Sequence, residues 1–382
     1  MSENRVKVAL IIKTTGLEYD DRVRKEINTI CKLCPDVSFK IFAMLEKNER
    51  IKGYTSYGIP YESIYIPARD KYPSASHLSL KAWQFYTTVN KLVKGFDVVW
   101  VANVDASLIA MLVRAKKLVW DLHELPEMFL GNPIRKAMLR YIFNRCDLVL
   151  HANEERLRYL ESVGAIKEPE KHIAVRNFPN FADEDSEQDE KYHGFVEWKG
   201  TRKCIYLQGL AGDKRAAFET VEAVMRTPDF CAVVVGGFDP EAKSRLKAMY
   251  GGMLDERINF IGRIPQLKIP QYVKQCFTTL VFYKNVSPNN YYCEANRFYQ
   301  SVVEGLPVVV GNNPTMKSLV DKYKIGVAIE SDGRDIEMLV EGINNIVTNY
   351  DTYVQNIIKY KDNFLWDTQD EVFKKIILKL NI

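Results

Sequence analysis

Strand-like and helix-like segments alternate along almost the entire chain of 382 residues, and this alternation constrains the fold more than any other feature. Short runs rich in Val, Ile and Leu predict buried strands, and amphipathic stretches between most of them predict helices. This order is typical of α/β proteins in which crossover helices connect the strands of a parallel sheet. The predicted strands are 6–12, 37–43, 63–66, 98–102, 118–121, 148–152, 173–176, 204–208, 232–235, 258–261, 279–283, 308–310 and 326–329, and the predicted helices are 20–33, 214–226, 240–250, 267–276, 297–304, 314–323 and 333–349.

An acidic segment separates the pattern into two halves. Residues 183–190 read Asp-Glu-Asp-Ser-Glu-Gln-Asp-Glu and contain no apolar side chain to bury. A chain of this length accommodates two domains of ordinary size. We therefore predict an N-terminal domain over residues 1–180, an acidic linker region over 181–202 and a C-terminal domain over 203–363. Both domains are expected to be Rossmann-like, with parallel sheets facing each other across a cleft and ligands at the carboxyl ends of the strands.

The composition disfavours several classes of protein. The seven cysteines have no repeated spacing, which predicts free thiols in a reducing compartment, and the first residues contain no apolar signal core. No apolar run approaches the roughly 18 residues that span a bilayer. The first strand is followed by no Gly-x-Gly-x-x-Gly motif, so a dinucleotide-dependent oxidoreductase is not favoured, and no His-rich spacing predicts a metal site. We expect a cytoplasmic protein with no metal and no nucleic-acid partner.

Residues 289–311 form the most informative segment of the chain. A polar loop leads into a short helix that ends at Gly305, and Leu-Pro and a run of valines follow. Asn296 is predicted to be the N-cap and Arg297 lies in the first turn, so free backbone N–H groups and a guanidinium are expected at one helix end. Such an end suits a diphosphate, because the amides, the helix dipole and the charged fork all favour an anion. An ordinary αβ unit with a glycine C-cap is the alternative interpretation.

The same segment resembles the donor-binding signature of GT-B glycosyltransferases of family 4, which usually combines an Asn-Lys/Arg-Phe-Tyr helix with a following Gly-x-Pro-Val. The resemblance implies a retaining transferase that uses a nucleotide-diphosphate sugar as co-substrate and needs no metal or other cofactor. It also implies that the final helix, within residues 364–382, returns to the N-terminal domain. Further motifs similar to those of the family follow in the right order at 20–26, 96–105, 120–125, 146–154, 176–179, 260–265 and 364–367.

The resemblance implies roles for residues at the matching positions. His123 is the expected catalytic histidine, which orients the sugar or contacts the developing charge; a structural histidine held by a neighbouring acidic residue is the alternative. Glu294 is the second catalytic candidate, and Arg22 and Asp105 are expected to contact the acceptor. The expected donor-binding residues are Gly209, Lys214, Arg215, Arg263, Ile264, Asn296, Arg297, Phe298 and Gln300.

The chain departs from the family's pattern in the donor half. Gln300 and Tyr292 stand where a spaced pair of glutamates is expected. Leu210 replaces a frequent arginine, so the charge for the donor phosphates would rest on Lys214 and Arg215. A glutamine can still hydrogen-bond a hydroxyl of the donor but carries no charge. Two alternatives therefore stay open: a sugar-nucleotide epimerase of the same architecture, and a catalytically silent nucleotide-binding subunit.

One helix in the N-terminal half predicts contact with a membrane surface. Residues 1–180 contain 28 Lys and Arg against 21 Asp and Glu, and residues 133–145 have a basic amphipathic pattern. Such a helix can lie on an anionic inner leaflet; packing against the domain's own sheet is the alternative. With the resemblance, this predicts a glycan or lipid-linked acceptor and a role in bacterial surface polysaccharide synthesis. The apolar face comprises Ile134, Met138, Leu139, Ile142 and Phe143, and the basic flanks comprise Arg135, Lys136, Arg140 and Arg145.

Overall fold

The structure is a computed structural model that describes residues 5–180 and 190–382. The chain forms two compact units, one made of residues 1–177 and 369–382 and the other of residues 178–368. Most of the predicted acidic linker, residues 181–189, lies outside the described residues.

The first unit is built on an eight-stranded sheet with the order β3-β4-β2-β1-β5-β6-β7-β8. Neighbouring strands are parallel, except that β3 and β4 pair antiparallel. Because β1 lies between β2 and β5, successive strands are added first on one side of β1 and then on the other. The strands are β1 (Val6–Lys13), β2 (Val37–Met44), β3 (Lys52–Tyr54), β4 (Pro60–Ser63), β5 (Val98–Ala102), β6 (Lys117–Leu122), β7 (Leu148–His151) and β8 (His172–Ala174).

Helices connect the strands of the first unit, and several begin at a polar cap. The Asp20 carboxylate accepts a hydrogen bond from the backbone N–H of Val23, and the side chains of Asn132 and Asn153 cap the helices that begin at Pro133 and Glu154 in the same way. These caps satisfy donors that the first helical turn leaves unpaired. The helices are α1 (Asp21–Leu33), α2 (Pro67–Lys71), α3 (Leu78–Leu92), α4 (Ser107–Leu112), α5 (Pro133–Arg145) and α6 (Glu154–Ser162).

The second unit contains a six-stranded parallel sheet with the order β11-β10-β9-β12-β13-β14. This is the strand order of a Rossmann fold, in which ligands bind where the order reverses, here between β9 and β12. The elements are α7 (Tyr192–Lys199), β9 (Lys203–Leu210), α8 (Ala217–Met225), β10 (Phe230–Phe238), α9 (Pro240–Tyr250), α10 (Gly252–Arg257), β11 (Ile258–Gly262), α11 (Ile269–Val273), β12 (Thr278–Val281), α12 (Pro288–Tyr291), α13 (Asn296–Val303), β13 (Val308–Val310), α14 (Pro314–Tyr323), β14 (Gly326–Ala328), α15 (Ile336–Thr348) and α16 (Tyr350–Tyr360).

The last helix, α17 (Asp370–Leu380), belongs to the first unit. Lys32 of α1 forms an ion pair with Asp370 at 2.9 Å, and the Lys117 ammonium donates a hydrogen bond to the backbone carbonyl of Leu380. Phe373 and Ile376 are fully buried. The end of the chain is therefore anchored to the unit that the chain builds first.

Two segments differ from the sequence-based expectation. The expected linker extended to residue 202, but residues 192–199 form α7 in the second unit, because Phe195 is buried and packs against Tyr272 at a ring-centroid distance of 5.2 Å. The strand expected at 63–66 instead ends at Ser63, and it pairs with the short strand β3, which was not predicted. Both short strands are partly exposed and lack an apolar period, so the sequence pattern does not reveal their bounds.

Candidate functional site

The side chain of Arg297 spans the point where the strand order of the second unit reverses. Its guanidinium donates hydrogen bonds to the backbone carbonyls of Gln208 at 2.8 Å and Phe282 at 3.2 Å. Gln208 lies near the end of β9 and Phe282 directly follows β12. The second residue of α13 therefore places a cation between the carboxyl ends of these two strands, where parallel sheets bind ligands.

A second guanidinium lies beside the first. Arg215 donates a hydrogen bond to the carbonyl of Gly209, and both Arg215 and Arg297 lie over the ring of Tyr283, with guanidinium carbons 5.7 and 5.0 Å from its centroid. Gly209 has a φ of +63°, and a Cβ there would lie only 2.8 Å from a terminal nitrogen of Arg215. The glycine thus permits both the left-handed backbone and the close approach of the arginine.

The two arginines form a site of positive charge that no carboxylate in the described part of the chain neutralises; Arg297 is 5% exposed, so the partly buried Arg215 is the more accessible of the two cations. Burial lowers the pKa of Arg297, and the nearby charge of Arg215 lowers it further. Among the ion pairs of the described residues, neither arginine is paired with a carboxylate. Two guanidinium groups held together in this way are suited to binding an anion, and guanidinium forks match phosphate oxygens well.

Lys284 holds the loop that carries Lys214 and Arg215 in place. This residue was not among those predicted from the sequence. The buried Lys284 ammonium forms ion pairs with Asp213 at 2.5 Å and Glu219 at 2.7 Å, and its backbone N–H donates to the carbonyl of Lys214 at 2.8 Å. Lys214 itself is exposed. The feature of the sequence that could have identified Lys284 is its position, three residues past the end of β12.

Helix α13 corrects the predicted N-cap and buries one of the predicted donor contacts. Asn296 is not the N-cap: Ala295 occupies that position, and Asn296 is the exposed first residue of the helix. Phe298 is completely buried in the core of the unit and reaches no surface at which a ligand could bind. Gln300 is also buried, with 8% of its surface exposed. The helix presents its buried face to the sheet, and Phe298 and Gln300 lie on that face.

Three further candidates lie around this region of the second unit. The Glu294 carboxylate accepts a hydrogen bond from the Tyr299 hydroxyl and is partly buried just before α13. Arg263 is exposed and Ile264 is partly buried, both beyond the carboxyl end of β11, two strands from β9. Neighbouring strands are roughly 4.8 Å apart, so Arg263 marks the other side of a region that begins at Arg297. Their roles stay predictions.

In the first unit, His123 is held by a buried ionic network. Its Nε2 atom lies 2.8 Å from Asp121, and Asp121 accepts two hydrogen bonds from Arg22, at 2.7 and 3.2 Å. Arg22 also lies 2.9 Å from a carboxylate oxygen of Glu26. Asp121 is the last residue but one of β6, so this network fixes the imidazole just beyond the carboxyl end of that strand.

Electrostatics keep the two carboxyl groups of this network in different states. Burial by itself would raise the pKa of Asp121, but the adjacent Arg22 and His123 hold it well below its usual range. Burial and the neighbouring Asp121 raise the pKa of Glu26 well above its usual range. The two carboxyl groups share one arginine, and the repulsion between them is relieved because the pKa of one is lowered and the pKa of the other is raised.

Arg22 is therefore not placed to contact an acceptor, contrary to the sequence-based expectation. Its side chain is 4% exposed, and its remaining terminal nitrogen donates to the carbonyl of Val175 at 2.8 Å. Arg22 instead orients Asp121 and, through it, His123. Asp105 is exposed beyond the end of β5 and lies 3.7 Å from Lys13, so it remains accessible.

Within residues 5–180 and 190–382, no group of three or more His, Cys, Asp or Glu side chains could hold a metal ion. In the same described ranges, no helix combines the length and the apolar character needed to cross a bilayer.

Solved glycosyltransferase structures resemble the chain over nearly its full length. Sucrose-phosphate synthase from Thermosynechococcus elongatus matches 98% of this chain and 99% of its own, with 14% identity and a TM-score of 0.76. HepE from Anabaena, solved in complex with UDP-glucose, matches 97% and 99%, with 15% identity and a TM-score of 0.71. A glycosyltransferase from Rickettsia africae matches 99% of both chains, with 13% identity and a TM-score of 0.70. The chain has the GT-B fold.

The GT-B fold confirms the predicted fold class. At these identities the similarity concerns the fold, and the chemistry has to be inferred from the residues of this chain. No protein-family model and no curated protein sequence matches the chain.

Proposed function

We propose that this GT-B protein is a retaining glycosyltransferase that transfers a sugar from a nucleotide-diphosphate sugar to a glycan or lipid-linked acceptor. The observation that carries the proposal is the pair of guanidinium groups of Arg215 and Arg297 at the carboxyl ends of β9 and β12. Paired cations at this place suit a diphosphate. The UDP-glucose bound to HepE, which has a similar fold, supports the same class of donor.

The proposed reaction divides its tasks among the candidate residues. The bond between the anomeric carbon and the diphosphate oxygen breaks, a bond to an acceptor hydroxyl oxygen forms, and the hydroxyl proton passes to the departing diphosphate. Arg215 and Arg297 stabilise the charge of that leaving group. His123 orients the sugar and stabilises its oxocarbenium-like transition state, and Glu294 is the second candidate for this task. Because two guanidinium groups supply the positive charge, we expect no requirement for a metal.

Calorimetric titration with nucleoside diphosphates tests the donor site. A thermal-shift comparison of UDP-, GDP- and ADP-sugars first selects the base, since preferential binding to the folded state raises apparent stability. Arg215→Ala and Arg297→Ala are each expected to weaken binding of the selected diphosphate roughly tenfold or more, because a charged hydrogen bond contributes about 1.5–3 kcal/mol. Affinity for the nucleoside without phosphates should change little.

Two further variants show whether a loss of affinity is caused by the loss of charge at this site. Arg297→Lys keeps a cation near the carbonyls of Gln208 and Phe282, so an intermediate affinity is expected if charge is the cause. Arg245→Ala removes an exposed arginine of the same unit and should bind like the native protein. Native diphosphate affinity in both Arg215→Ala and Arg297→Ala would refute the assignment of the donor site.

The products distinguish transfer from the alternative activities. Chromatography of a reaction that contains donor and acceptor should show a new glycoside, with release of the nucleoside diphosphate. Isomerisation of the free nucleotide sugar without an acceptor would instead identify an epimerase. Tight nucleotide binding without turnover across a full panel of donors and acceptors would identify a silent subunit.

A lipid-linked acceptor, bacterial surface polysaccharide synthesis and a cytoplasmic site at the inner leaflet are finer parts of the proposal, supported by helix α5. Its predicted apolar face divides: Leu139, Ile142 and Phe143 are buried in the unit, while Ile134 is 74% and Met138 40% exposed. The inward half anchors the helix to the sheet. The outward half is available, together with exposed Tyr141, Met128 and Arg135, for contact with an anionic lipid surface.

Co-sedimentation with vesicles tests this contact. We expect the protein to bind anionic vesicles in preference to neutral ones, and less at high salt. Ile134→Ser should reduce binding, whereas Ile358→Ser, which changes an isoleucine that is 65% exposed in the second unit, should not. Equal binding of both kinds of vesicle at all salt concentrations would favour a soluble acceptor.

A further inference from the structure

A cavity of about 690 Å³ lies in the first unit, between the paired strands β3 and β4 and the helix α3. Pockets that hold small ligands measure roughly 300–1,000 Å³, so this volume accommodates a short saccharide. None of the residues that the sequence assigned to donor, acceptor or catalysis lines it.

The cavity has more positive than negative charge. Arg50, Lys52 and Lys91 line it, and Glu62 is its lining carboxylate. Glu62 is already shared between Lys40 at 2.9 Å and Lys52 at 3.5 Å. Among the ion pairs of the described residues, Arg50 and Lys91 have no carboxylate partner. An anionic ligand would therefore meet cations that no carboxylate of the protein neutralises.

The remaining lining residues favour a saccharide over a nucleotide. The guanidinium of Arg50 covers the ring of Tyr65, with its carbon 4.7 Å from the centroid, so the aromatic face that could stack on a base is occupied. Stacking also fixes the plane of the guanidinium and directs its N–H groups sideways, where they can bind an oxyanion. Leu92 and Pro67 offer apolar surface to the C–H face of a sugar, and Thr88 offers a hydroxyl.

We propose that this cavity binds an acidic saccharide, one that carries a carboxylate or a phosphate, as a segment of the acceptor remote from the reacting hydroxyl. The assignment of this ligand to the acceptor rests on the proposed glycosyltransferase function. Ser63, Tyr65 and Pro67 place one end of the cavity at the carboxyl edge of the sheet. The same edge carries His123, four strands further along at β6. At ~4.8 Å per strand this separation is about 19 Å, which a chain of several sugars can span.

Titration of the whole protein with an oligogalacturonate tests the site, with a malto-oligosaccharide of equal length as the neutral probe. We expect the oligogalacturonate to bind and the malto-oligosaccharide not to bind. High salt should weaken the binding of the oligogalacturonate. The double variant Arg50→Ala/Lys91→Ala should weaken it at least fivefold. The matched control Arg158→Ala/Lys167→Ala, which removes the same charges from exposed positions of the first unit, should bind like the native protein.

Several results would overturn the proposal. These are absence of binding, equal binding of the neutral probe, and equal loss of affinity in the two double variants, which would indicate attraction to net charge alone. Displacement by inorganic phosphate at the same concentration would indicate a simple anion site. Because no donor is present, Arg215→Ala should bind the oligosaccharide normally. Oligosaccharide binding therefore tests the cavity independently of the donor site, and failure of one assignment can be told apart from failure of the other.

Discussion

Lowering the pH from 7 to 5 is expected to destabilise the first unit through a buried pair of histidines. The Nε2 atom of His151 and the Nδ1 atom of His172 are hydrogen-bonded at 2.8 Å, and the ring of Phe143 packs edge-on against both. His151 is 1% and His172 8% exposed. Burial, followed by the charge of Lys171, lowers the pKa of His172 from 6.5 to about 4, and burial lowers the pKa of His151 as well.

The sign and size of the effect follow from these pKa values. In the unfolded chain both imidazoles take up a proton as the pH falls through about 6.5, whereas in the folded unit His172 stays neutral until about pH 4 and the pKa of His151 is also well below its usual value. The stability that His172 contributes is therefore present above pH 6.5 and is lost progressively between pH 6.5 and 4, and His151 changes the stability in the same direction. For His172 alone, the loss at pH 5 is about 2 kcal/mol, since one pKa unit corresponds to about 1.4 kcal/mol.

Urea unfolding of the native protein and of His172→Asn, at pH 7 and pH 5, measures this contribution. The asparagine amide retains a hydrogen-bonding group near the position of Nδ1 but does not titrate, so the variant should lose about 2 kcal/mol less between the two pH values. His193→Asn, at an exposed position of the second unit, controls for the substitution and should keep the native pH dependence. An equal loss of stability in His172→Asn and the native protein would refute the reasoning.

Three further predictions concern the candidate sites and the second unit. His123→Ala should lower turnover about 10²–10⁴-fold and leave nucleotide affinity nearly unchanged, because the diphosphate contacts lie on the other unit; turnover within a few-fold of native would make the histidine structural. Gly209→Ala should weaken diphosphate binding because its Cβ displaces a side chain of the site, whereas Gly305→Ala, also at positive φ but facing open space, should reduce thermal stability only; equal affinities in calorimetry would contradict this. Phe195→Ala should lower the unfolding free energy of the second unit by roughly 3–5 kcal/mol in urea titration, because it empties a core position; a change below about 1 kcal/mol would mean that α7 is not part of that core.

The elements that the sequence predicted well are those whose pattern is local. Buried strands such as β5 and β13, and helices such as α9 and α14, match the predicted ranges, because a strand buried on both faces is continuously apolar and an amphipathic helix repeats every 3.6 residues. The fold class followed from their alternation. Strand β3, the bounds of β4 and helix α7 were not predicted correctly, because short, half-exposed elements have no comparable periodicity.

The sequence by itself determined the α/β architecture of two units and the chain positions at which polar residues follow strand ends, and its resemblance to the GT-B family singled out Arg215, Arg297 and His123 among them. Only the tertiary structure decided what those residues do to one another. It placed Arg215 beside Arg297, buried Phe298, and turned Arg22 from an expected acceptor contact into a partner of Asp121. The physical reason is that strand and helix patterns depend on neighbours within a few residues, whereas burial and ion pairing depend on residues 80 or more positions apart, which meet only when the sheet is assembled.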